Sequence, residues 1–179
     1  MKYLLRFIIS VVIIAVIIYG YNYLSLTYPV KQRLAEDTRN SGVGFDVHYQ
    51  FYVNPSAIVI DLDHIHGSVS LADVFRGFLQ ICDKLKDKDF DEVLLASNGS
   101  VKFKITGSYF KELGQNYATQ NPIYTVRTFP EHVYTPAGVN AYGTITGGLF
   151  GVLNKQMEDF KDFSEKWYLN DLSAGKMGD

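Results

Sequence analysis

The stretch AIVIDLDHIHGSVSLADVFRGFLQICDKL, Ala57 to Leu85, decides the fold. Ala57–Leu62 is an apolar, β-branched run around Asp61, the pattern of a strand. Ser70-Leu71-Ala72-Asp73 then has capping-box spacing, in which the hydroxyl takes a backbone N–H and the carboxylate reaches back. Behind it Leu71, Val74, Phe75, Phe78, Ile81, Cys82 and Leu85 recur at helical spacing and form one apolar stripe. A strand feeding an amphipathic helix is the unit of an α/β domain. Cys82 lies inside the stripe and reads as a packing residue.

Working outward, Val43 to Val53 alternates, with Val43, Phe45, Val47, Tyr49, Phe51 and Val53 against Asp46, His48 and Gln50. This predicts a half-buried strand over 43–53, a turn at Asn54-Pro55-Ser56 and a hairpin with the strand at 57–62. Downstream, Glu92–Ser97 and Val101–Thr106 flank Asn98-Gly99, the pair suited to a tight hairpin turn. A helix is expected from Ser108 to Tyr117, a strand from Ile123 to Phe129, and a long loop from Pro130 to Gly148. The last helix, Leu149 to Leu169, should bury Leu149, Leu153, Met157, Phe160 and Trp167. The expectation is an α/β, ββα-repeat domain with a mixed sheet over residues 43–179.

The amino terminus is different in kind. No charged residue occurs from Phe7 to Val30, and FIISVVIIAVIIY (7–19) is apolar apart from Ser10, enough for a transmembrane helix over residues 1–27. A cleaved signal peptide would need small residues after the core, where the chain has Tyr19-Gly20-Tyr21-Asn22-Tyr23. Tyr3 at one end and Tyr19, Tyr21, Tyr23 and Tyr28 at the other form interfacial belts. Residues 28–42 then read as a stalk helix. Lys2, Arg6 and the amino terminus on one flank face Lys31, Arg33 and Arg39 on the other, and the short amino-terminal tail favours N-in, which puts the domain outside the cytoplasm, on the periplasmic side of the inner membrane in a Gram-negative cell.

Composition narrows the partners. The formal charge is -2, and setting Lys2 and Arg6 aside makes the remainder more acidic, with no basic cluster for nucleic acid. One cysteine rules out an intramolecular disulfide. No cofactor and no metal is called for. The chain should meet the membrane through its first helix and bind a protein partner or a second copy of itself.

Asp61, Asp63, His64 and His66 are the one dense titratable cluster, of residue types that hold metals or do acid–base chemistry. On a regular strand Asp61 and Asp63 share one face and the two histidines the other. The bland alternative is aspartates on backbone amides and histidines in a surface loop. His132 reads as a loop residue, and Gly143–Gly148 as a glycine-rich lead into the last helix without the Lys-Ser or Lys-Thr of a nucleotide loop.

Two resemblances bear on function. The 57–85 stretch resembles the opening unit of the crotonase and Clp-protease superfamily, and VLLASNGSVKFKITGSYFKELG (93–114) is similar in layout to its second unit, with Phe103–Gly107 as the turn. That resemblance implies a spiral of ββα units over residues 45–118. The catalytic residues are not matched: Ser97 precedes a hairpin rather than a helix, and Gly147-Gly148 is at most a remnant of an oxyanion turn. Asp61-Leu62-Asp63 with Ser97-Asn98 also resembles the first two motifs of haloacid-dehalogenase phosphohydrolases, but Asn98-Gly99 again begins a hairpin. The reading is a non-catalytic binding or assembly module on a membrane anchor; the alternative is a tethered hydrolase using Asp61, Asp63, His64 and His66.

Overall fold

The computed structural model describes residues 2–66, 69–143 and 149–177. Four strands make one mixed sheet in the order β1 (Val43–Gln50), β2 (Asn54–Ile65), β3 (Glu92–Ser97), β4 (Ser100–Thr106). β1–β2 and β3–β4 are antiparallel hairpins, and β2–β3 is a parallel pair, made possible by the crossover helix α3 (Leu71–Leu85). The architecture is mixed α/β. The capping box closes as expected, with the Ser70 hydroxyl accepting the Asp73 N–H and the Asp73 carboxylate accepting the Ser70 N–H.

The core forms where the sheet face bearing Phe45, Val47, Ile58, Ile60, Leu62, Val93 and Leu95 meets α3. Aromatic rings extend it: Phe75 and Phe78 meet Phe129 edge to face, and Phe163 lies against Phe129 and Trp167. The Trp167 indole N–H donates to the Ala96 carbonyl at 2.9 Å, so this buried ring has its polar atom satisfied. Cys82 is fully buried, and burial pushes its thiol well above the ordinary range.

The first helix runs from Lys2 to Ala35 without a break, as α1 (Lys2–Asn22), a π turn (Tyr23–Thr27) and α2 (Tyr28–Ala35). Pro29 supplies no N–H to the preceding turn, and the backbone widens there instead of breaking. The amino-terminal part is long and apolar enough to cross a membrane, and none of its most apolar window is buried in protein. The part after Asn22 is no stalk, because Leu26, Val30 and Leu34 lie in the core. Asn22 and Thr27 serve the free edge of β1. The Asn22 carbonyl oxygen accepts the Tyr49 N–H at 2.8 Å, its amide donates to the Tyr52 carbonyl, and the Thr27 hydroxyl donates to the Val47 carbonyl. Edge strands need such cover.

Several expectations are corrected. β1 stops at Gln50, and the turn lies at Phe51–Val53, three residues before Asn54-Pro55-Ser56; the apolar alternation continues past the strand into the tip. Residues 123–129 are not a strand: 123–128 fall in α5 (Pro122–Thr128), where the Asn121 side chain accepts the Ile123 N–H and Pro122 opens the first turn, and Phe129 begins a 3-10 turn (Phe129–His132). α4 spans Gly107–Asn116. The last helix is α6 (Leu149–Ser164), a π turn (Glu165–Leu169) and α7 (Asn170–Ser173). Its buried face carries Phe160, Phe163 and Trp167, while Met157 is 46% exposed. The side chain of Leu149 and residues 144–148, including Gly147-Gly148, lie outside the description.

Candidate binding pocket

A cavity of about 600 Å³ lies between α3, α4 and α5, within the size range of small-molecule sites. Each wall has a local cause. α3 offers Phe75 and Leu79 because its apolar stripe is wider than the sheet needs. α4 is fixed at its start by the Thr106 hydroxyl accepting the Tyr109 N–H, and presents Leu113 and Tyr117. α5 closes the third side, and it exists because Asn121-Pro122 starts a helix where β-branched residues suggested a strand.

Two polar networks hold the walls apart. At one end the Arg127 guanidinium donates to Gln156, whose amide donates to Glu131 at 2.8 Å, tying α5 and the following 3-10 turn to α6. His132 stacks on Tyr109 with ring centres 3.9 Å apart, so it is a wall of the cavity and not a free loop residue. Burial, and then the Glu112 charge, raise the Tyr109 hydroxyl above its ordinary value. At the other end Arg39 and Arg76 flank Asp37, with Arg39 at 2.7 Å and the Arg76 Nε at 3.4 Å. Hydrogen bonds from Ser70, and then from Arg76, lower the Asp73 carboxyl to about 2. The buried Arg76 Nε makes no hydrogen bond of good geometry. The cavity is thus apolar and aromatic along its floor, with the Asp-paired guanidinium groups of Arg39 and Arg76 at one rim.

The titratable cluster lies elsewhere. Asp61 Oδ2 accepts the Gly99 N–H at 2.7 Å, so this carboxylate closes the β3–β4 turn. Burial raises its pKa against that hydrogen bond, and Asp63 and Asp46 add to the rise. A bulge between Gly44 and Phe45 pairs Gly44 with His64 but Phe45 with Leu62. The extra residue, Asp63, shifts the pleat, and His64 comes to the Asp61 side rather than opposite it. The His64 ring fills the space where a side chain on Gly44 would stand. Asp63 and His64 approach to 2.9 Å, and the His64 and His66 rings lie 4.9 Å apart. Among the described residues no group of three or more His, Cys, Asp and Glu is placed to hold a metal ion. The structure therefore brings together Asp63, His64 and His66 and gives Asp61 a separate partner.

The pocket escaped the sequence reading because its walls come from three elements far apart in the chain; the Asn121-Pro122 cap was the signal that would have exposed the third. No family model, curated protein or solved structure matches this chain.

Proposed function

We propose that the protein is a single-pass, membrane-anchored binding module whose recognition site is the α3–α4–α5 cavity. One observation carries this reading: the cavity joins an aromatic floor to an arginine rim, the arrangement for an amphipathic ligand or partner segment with an apolar body and an anionic end. The Lys2–Ala35 helix supports the anchor, and Lys2 with Arg6 supports the N-in orientation, with the domain on the extracytoplasmic side. The succession β1-β2-α3 followed by β3-β4-α4 is consistent with the ββα reading. Asp61 being engaged at a backbone turn favours the binder over the hydrolase.

The test is binding of anilinonaphthalene sulfonate, an aromatic anion, to the full chain in detergent. The expected result is one saturable site, lost in Ala72→Trp at unchanged thermal stability and weakened about tenfold or more in Arg76→Leu, the scale of a charged hydrogen bond. Equal binding by the parent and both folded variants would reject the pocket as the site.

A further inference from the structure

The β1–β2 tip is built against its own local preferences. Phe51 and Tyr52 both have positive φ, 53° and 64°, and the Val53 N–H returns to the Gln50 carbonyl, the signs of a tight turn that normally takes Asn and Gly. Such backbone disfavours bulky L residues. Phe51 is nevertheless 77% exposed, and Tyr52 and Val53 are exposed beside it. The Tyr52 ring stacks on His48 with ring centres 4.4 Å apart, while Phe51 and Val53 leave large apolar surface uncovered on a strained turn.

The tip has a fixed place relative to the first helix. The Asn22 amide donates to the Tyr52 carbonyl at 2.7 Å and also to the Ile18 carbonyl. Tyr21 stacks on Tyr49 with ring centres 5.8 Å apart. The tip therefore stands beside the helix where its exposed apolar run ends in Tyr19 and Tyr21. Beyond that level the helix runs on alone toward Lys2.

We infer that the Phe51-Tyr52-Val53 tip is a second membrane contact, seated in the interfacial layer of the leaflet from which the helix emerges. The inference rests on the anchor reading. The occupant is lipid because the tip continues the exposed apolar surface of a helix fit to span a bilayer, and aromatic rings favour that layer. Helix and tip together make two attachments held by Asn22, so the domain has one tilt on the membrane and the cavity one orientation.

Spin labels at Phe51→Cys, Val53→Cys, Ile14→Cys and Lys161→Cys test this in full-length protein reconstituted into phosphatidylethanolamine–phosphatidylglycerol vesicles. The native Cys82 is buried and leaves the labelling selective. The expected result is a high ratio of oxygen to nickel-chelate accessibility at Ile14, an intermediate one severalfold above Lys161 at Phe51 and Val53, and an aqueous one at Lys161. A lipid signal at Ile14 with aqueous signals at both tip sites overturns the inference and leaves the anchor standing. Tip labels shielded from both reagents mean a protein contact and overturn it as well. An aqueous signal at Ile14 overturns the anchor and the inference together.

Discussion

The two hairpins of the sheet make the same kind of turn from opposite materials. Asn98 and Gly99 adopt φ of 48° and 75°, and Phe51 and Tyr52 adopt 53° and 64°. The first pair suits that backbone, and the Asp61 carboxylate closes the turn from the neighbouring strand. The second pair opposes it and is held from outside by Asn22. One turn is thus written locally and the other is imposed by tertiary contacts, on the side of the domain that meets the first helix.

The comparison breaks most severely at Asn22, which is 2% exposed. Asn22→Leu keeps the branched shape but strands the Tyr49 N–H and the Tyr52 carbonyl, at a cost on the order of 3 kcal/mol. Urea unfolding of the detergent-solubilised chain, followed by the fluorescence of the buried Trp167, should show it; an unchanged midpoint would mean that the tip does not depend on the helix. Gly99→Val comes next, because a β-branched residue at positive φ costs about 1–3 kcal/mol. Asn98→Asp should leave the same midpoint in place, since Asp accepts this conformation.

Converting the second turn to the chemistry of the first has the opposite sign. Phe51→Asn with Tyr52→Gly should stabilise the chain in detergent by about 1 kcal/mol, relief of strain at two positions outweighing the lost stack of Tyr52 on His48. In vesicles the same double variant should move a Val53→Cys label out of lipid. A loss of stability would show that the aromatic tip contributes to the fold itself.

Much of this was legible. The Ala57–Leu85 unit, the Asn98-Gly99 turn and the Ser70 cap were readable because local chemistry and tertiary packing agree there. Where they disagree the reading went astray. Phe51 and Val53 extended an alternation that belongs to the strand only as far as Gln50, since nothing in a period of two separates a core residue from an exposed one. Thr125, Val126 and Thr128 suggested a strand, yet the Asn121 cap and Pro122 outweigh their preference and build a pocket wall. The bulge at Asp63 could not be read at all, because register is a property of two strands.

The smallest expected effect concerns Asp61. Its folded pKa is raised, so the native state holds its proton more tightly than the unfolded chain. It therefore subtracts stability above the raised value, and the penalty is lifted as pH falls toward the ordinary Asp range. Asp61→Asn should flatten that part of the stability profile and, combined with His66→Ala, leave anilinonaphthalene sulfonate binding unchanged. Loss of binding at normal folding would move the functional site to the β2 cluster.

The most direct test of the whole account is the sidedness of the first helix in intact cells. With Tyr3→Cys and Lys161→Cys in separate full-length variants, a membrane-impermeant maleimide should label Lys161→Cys from outside the cell membrane and Tyr3→Cys only after permeabilisation. Labelling of both positions from the same side, or release of the unmodified chain from membranes by carbonate, would contradict a spanning helix and the seat of the domain built upon it.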